Sequence, residues 1–167
     1  MYILFFLQQR TIDQPLTHIV GNQSAWVLNK IYYSTAYAAL DTINTQYYEG
    51  VVSSTPVCTI YKNGLTVMHI ADGCNGLELF VLYMGFIVSM PASVKRKISF
   101  IIIGVVLIHL VNVFRCVGLC MLVQYLHQYF DIAHHYIFKM IIYSIVFLLW
   151  MLFSRKLLIP NNTNAPI

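Results

Sequence analysis

Between Lys97 and Arg115 the chain carries no formal charge: the run reads ISFIIIGVVLIHLVNVF, and apolar character continues past Arg115 to Leu126. A helix rising about 1.5 Å per residue covers most of a bilayer's hydrocarbon core of about 30 Å within such a run. Composition points the same way. Of the 167 residues, 59% are hydrophobic and 10% charged, whereas a soluble domain carries about 25% charged residues. With a mean hydropathy of +0.69, the chain reads as an integral membrane protein forming one compact unit. Twelve Tyr and ten Phe suit that class, because aromatic residues collect at membrane interfaces. The net charge of +4 sits largely in short clusters, so it bears on topology and implies no nucleic-acid partner.

Two further segments look membrane-embedded. GLELFVLYMGFIVSM, Gly76 to Met90, stops at Pro91, and YIFKMIIYSIVFLLWMLF, Tyr136 to Phe153, is closed by Arg155-Lys156. Both fall near the lower end of the roughly 17–25 residues a span requires. The expected fold class is an all-α membrane protein: a small bundle of about three to four transmembrane helices with a small extramembrane cap. Within the cap, residues 17–73, HIVGNQSAWVLNKIYY reads as an amphipathic interfacial helix. VCTIYKNGLTVMHI reads as a β-hairpin turning at Asn63-Gly64. Residues 74–157 form the helical core of this single membrane domain. Residues 1–16, opening MYILFFL, are expected to be an anchor or a truncated helix, being too short for a signal peptide or a span. The tail, 158–167, is expected to be disordered.

Lys95-Arg96-Lys97 lies between the first two spans and Arg155-Lys156 after the third. The positive-inside rule puts both clusters in the cytoplasm and the cap outside. Cys74 then begins the first span at the outer face. Arg115 follows Lys95 by about 30 Å of helix, roughly one membrane thickness. His134 and His135 open the third span, again at the outer face. Three residue types distant in sequence arrive at one depth.

Each has a plain reading beside a chemical one. Asn75, followed three residues later by Glu78 before an apolar run, is a capping signature. Cys74 beside that first turn meets the positive end of a helix dipole, which favours thiolate; equally, it is a small residue filling a helix start. Gly73 and Gly76 permit close approach of a substrate backbone. Glu78 suits the capping box better than catalysis, since its charge one turn away opposes a thiolate. Arg115 within an apolar run is costly enough to suggest function, with Asn112 one turn earlier to orient it; the plain alternative is snorkelling to headgroups. The histidine pair by itself is ambiguous. His109 reads as buried within its span, and no set of histidines and carboxylates marks a metal or cofactor site. Cys116 and Cys120 share a helix face, and Cys58 is available to pair with Cys74 in an oxidising compartment.

ADGCNGLELF, NVFR and AHHYIFKMIIY, in this order and each at a helix end, resemble the exosortase/archaeosortase family of membrane cysteine transpeptidases, most closely the short F-type exosortases. The similarity covers roughly Val57 to Phe153. It implies that Cys74, in a Cys-Asn-Gly version of the family's motif, is the nucleophile. Arg115, in Asn-x-x-Arg, would stabilise the oxyanion. His135, with His134 the alternative, would serve as general acid and base. The sequence departs from the family in having Asn75 where serine is commoner, Lys139 where a glycine often follows the histidine, and an abbreviated N-terminus.

The function so implied is cleavage of C-terminal sorting tails of membrane-anchored secreted proteins, and transfer through a thioester to a cell-envelope acceptor. The place would be a bacterial inner membrane, with the site facing outward and no cofactor. Two other readings compete: a non-enzymatic membrane scaffold or complex subunit, and, less favoured, a metal- or haem-binding membrane protein using the histidines.

Overall fold

The computed structural model describes residues 13–48 and 51–158. The expected N-terminal anchor, up to residue 12, and nearly all of the expected tail lie outside the described residues. In chain order the elements are α1 (Asp13–Ile31), β1 (Tyr37–Tyr48), β2 (Val51–Lys62), β3 (Leu65–Ile70), α2 (Leu77–Ser89), α3 (Val94–Tyr125) and α4 (Phe138–Leu158). A 3-10 turn, Asp72–Cys74, precedes α2. Between α3 and α4 lie short helical turns ending in one π-helical turn, Ala133–Ile137.

Two helical stretches, Val94–Tyr125 and Phe130–Arg155, are long and apolar enough to cross a membrane. The third expected span is the apolar helix α2, whose thirteen residues reach only about 20 Å. It stops because Pro91 and its neighbours leave the helical conformation: Met90 is already extended, at ψ 142°. Among the described residues the bundle is thus two full-length helices and one short one. Its lipid-facing side is visible in the exposed stripe Ile98, Ile102, Val106, Leu110 and Phe114, one residue every turn of α3. A soluble protein rarely leaves so continuous an apolar surface uncovered.

The cap differs from the expected hairpin by one strand. β2 and β3 turn at Asn63-Gly64, both in the left-handed region, as a two-residue hairpin turn requires. β1 adds a long antiparallel partner, running in register from Tyr37 opposite Lys62 to Tyr48 opposite Val51, to give the sheet order β1-β2-β3. The segment YAALDTINTQYY lacks a clean polar–apolar alternation, and Leu40 and Ile43 are both exposed. Pairing with β2 organises it, and its inner face, Tyr37 and Ala39, joins the upper core against α1.

Two cores meet along α3. The upper one joins Val20, Ala25 and Leu28 of α1 and Cys58, Ile60 and Ile70 of the sheet to Val113, Cys116, Val117 and Cys120. α1 buries Thr17, Val20, Gly21, Ser24, Ala25 and Leu28, a helical 3-4 spacing that lays one face against sheet and helix. The lower core packs Phe80, Tyr83 and Ile87 of α2 and Ile142, Val146 and Phe153 of α4 around Ile108. Gly104 lets α2 and α3 close tightly, because a Cβ there would lie 2.2 Å from the Tyr83 ring. Tyr83 then donates its hydroxyl to the carbonyl of Phe100 at 2.8 Å. At the other end of α3, Gln124 Oε1 accepts hydrogen bonds from the Tyr37 hydroxyl at 2.9 Å and Lys62 Nζ at 2.7 Å. This fastens the helix to the sheet.

Candidate active site

Where the two cores meet, the chain leaves β3 and turns into α2. Gly76 makes the turn possible. Its φ of +84° belongs to the left-handed region, and its Cα faces the Asn112 amide, which a Cβ would meet at 3.4 Å. The capping box expected from Asn75 and Glu78 takes another form. Asn75 Oδ1 accepts from the backbone N–H of Leu77 at 2.8 Å, a side-chain-stabilised turn rather than the N-cap of α2, which is Gly76. The Asn75 amide, 1% exposed, donates to Asp13 Oδ1 at 2.7 Å. Asparagine here is a strut between the thiol's turn and the start of α1. A serine hydroxyl would have to serve both contacts from a single, shorter-reaching oxygen.

Cys74, half-buried, sits at the end of the 3-10 turn. Asn112 donates from Nδ2 to the Cys74 carbonyl at 2.8 Å and accepts from Arg115 Nη1 at 3.5 Å. One turn of α3 thus fixes the cysteine backbone and, more weakly, the guanidinium. Arg115 is buried, 8% exposed, and its Nη2 donates to the Cys74 sulfur at 3.3 Å. Its Nε–H is buried without a hydrogen-bond partner. A buried guanidinium with an unused donor is costly unless a ligand completes it.

His134 also approaches the sulfur, with Nε2 3.9 Å from Sγ. Its ring is stacked parallel on Phe130, with centroids 5.6 Å apart and 3° between the planes. His135, the residue placed first from the sequence, is exposed and meets His134 edge-on at 4.8 Å. The contact with sulfur is therefore made by the alternative, His134. The signal was present in the sequence: Phe130, His134 and Phe138 recur every four residues and so share one helix face. Phe138 packs against Gly118, where a Cβ would lie 2.8 Å from its ring, so that face turns inward.

The other candidates lie elsewhere. Cys58 faces α1, its sulfur 2.3 Å from where a Gly21 Cβ would stand, and Cys58 and Cys74 are both free thiols rather than a disulfide. Burial, with Asp41 nearby, pushes the Cys58 thiol up to about 11, so it stays protonated at neutral pH. Cys116 and Cys120 are fully buried in the upper core. His109 bonds Gln23 of α1 at 2.7 Å. Among the described residues, no three His, Cys, Asp or Glu side chains gather into a metal-binding set. Glu78 and Lys139 instead line a cavity of about 160 Å3 beside Arg115, between α2 and α4.

A model of one protein family, Transmembrane exosortase (Exosortase_EpsH), matches residues 1–153. The chain belongs to the transmembrane exosortase family. Exosortases are in general cysteine transpeptidases of the membrane, acting on proteins with a sorting tail. No curated protein and no solved structure matches the chain. The matched stretch includes Cys74, Asn112, Arg115 and His134, so the geometry described above belongs to the exosortase part of the molecule.

Proposed function

We propose that this exosortase, of the short F type, is a membrane cysteine transpeptidase whose reaction is carried by Cys74, Arg115 and His134. The observation behind the proposal is that one sulfur is flanked by a buried guanidinium at 3.3 Å and an imidazole at 3.9 Å, from three separate elements. A nucleophile, an anion-stabilising donor and a base within reach of one atom are the requirements of acyl transfer.

His134 accepts the Cys74 thiol proton as sulfur bonds to the carbonyl carbon of the scissile peptide. Charge develops on the carbonyl oxygen, and Arg115, positioned by Asn112, stabilises it. The C–N bond then breaks, the His134 proton passes to the departing amine, and a thioester remains. An envelope amine or water attacks that thioester, gives a proton to His134, and releases the acyl group as Cys74 regains its thiol. His134 takes the role over His135 because it alone of the pair is within contact of the sulfur. The substrates are membrane-anchored secreted proteins with a C-terminal sorting tail, and the acceptor is an envelope molecule.

The basic clusters at Lys95–Lys97 and Arg155 mark one end of the bundle and the cysteine site the other. With the positive end in the cytoplasm of a bacterial inner membrane, the site faces outward. The decisive experiment replaces Cys74 with Ala in the host and follows a sorting-tail protein. Accumulation of uncleaved precursor is expected. Normal processing, with charged substitutions in the helices disrupting a complex instead, would favour a non-enzymatic scaffold.

A further inference from the structure

The cavity between α2 and α4 is lined by Gly73, Glu78, Leu79, Arg115, Lys139 and Tyr143, among others. It adjoins the cysteine's turn and shares Arg115 with it, but neither Cys74 nor His134 forms its wall. Glu78 and Lys139 stand on opposite sides, one on each helix. They form no ion pair within 4.0 Å, since the ion pair found among the described residues is His18 with Asp41. Opposite charges thus face one small space beside the Arg115 guanidinium, unpaired with each other across it. Both side chains are exposed, and a concave space with a few convergent polar groups is the usual form of a ligand site.

Direction follows from the helices. α2 and α4 both run from the site towards the basic end, so Leu79, Ile142 and Tyr143 lie about one to two turns deeper than the sulfur. A chain leaving Cys74 through this space enters the bundle's lipid-facing flank, where Tyr143 is 53% exposed. We infer that this gap receives the peptide segment on the leaving-group side of the scissile bond, with Glu78 accepting from a backbone or side-chain N–H while Lys139 donates to a carbonyl oxygen. Glu78 and Lys139 are thereby specificity-determining residues for the first residues after the cleaved bond. This rests on the proposed transpeptidase reading, in which the substrate's anchor follows that bond and must pass into the membrane.

Gly73 offers a direct test, because it lines the gap and a Cβ there meets nothing within 4 Å, so a large side chain can be carried at the gap's edge. The probe is a reporter protein carrying a host sorting tail, made up of a polar segment, an apolar helix and a basic end, expressed with the full-length enzyme. Gly73→Trp is expected to slow reporter cleavage at least about tenfold, the usual scale for a blocked subsite, while iodoacetamide alkylates Cys74 at near the normal rate. Glu78→Gln and Lys139→Gln are expected to change which tails are cut, with alkylation again preserved. In the Cys74→Ala background, a benzophenone side chain replacing Tyr143 is expected to crosslink the reporter C-terminal to its cleavage point. One replacing Val106, 53% exposed on α3, should not. Normal cleavage by Gly73→Trp, or no crosslink from position 143 while Cys74→Ala still accumulates precursor, overturns the inference. If Cys74→Ala cleaves the reporter normally, the transpeptidase reading fails first.

Discussion

Asn112 holds the carbonyl oxygen of Cys74 at 2.8 Å through its side-chain amide, across 38 residues of sequence. The cysteine's backbone is thus registered against α3, the helix that also supplies Arg115.

Asn112→Ala should therefore impair processing more than folding. Losing a buried hydrogen bond costs about 1–3 kcal/mol, and the loss falls on the alignment of Cys74 with Arg115. A drop in cleavage of about tenfold to a hundredfold is expected, with the protein still extracted as a folded species. Quantitative blotting of precursor and product, alongside a thermal melt in detergent, measures both.

Replacing the histidines one at a time separates neighbours that differ in what they touch. His134→Ala should lower cleavage by about 10² to 10⁴, the range for loss of a general acid–base. His135→Ala should stay within a few-fold, since its exposed ring meets His134 rather than the sulfur. Equal effects from the two variants would remove the assignment.

Thiol labelling should rank the cysteines. Cys74 is half-buried, whereas Cys58 is 1% exposed and its thiol is pushed up to about 11 by burial and Asp41. The thiolate is the reactive form, so Cys58 should resist maleimide at pH 7.5 and gain reactivity only as the solution approaches its raised value. A membrane-impermeant maleimide should reach Cys74 from the extracytoplasmic side and not from the cytoplasm. Peptide mass mapping after labelling from each side reads out both points.

Gly104→Ala should loosen the bundle without touching the site. The new methyl would stand 2.2 Å from the Tyr83 ring, which is itself fully buried and bonded to Phe100. Overpacking of this kind costs about 1–3 kcal/mol. A lowered melting temperature is expected, partly recovered by Tyr83→Leu, which gives the methyl room.

Much of this arrangement was legible in the residues. The charge-free stretch before Arg115 fixes α3, Asn63-Gly64 fixes the β2–β3 turn, and the spacing of Lys95 to Arg115 puts the arginine near the depth of Cys74. What escaped depends on tertiary pairing. β1 has no strong pattern of its own and is recruited by β2. The second function of Asn75, donating to Asp13, joins positions 62 residues apart and leaves no local trace. His134 was recoverable from its four-residue spacing with Phe130 and Phe138, but the adjacent histidine masked it.

The length of α3 has one more consequence. Its 32 residues extend about 48 Å, well past a hydrocarbon layer of about 30 Å, and the same rod roots in the basic cluster, carries Arg115 and plugs into the sheet. The distance from the basic foot of α3 to the Cys74 sulfur is then fixed by the fold, and the proposed reading makes that sulfur the nucleophile. A bilayer thickened or thinned by its lipids would slide a tethered polypeptide past the sulfur, so membrane composition would help decide which bond is severed.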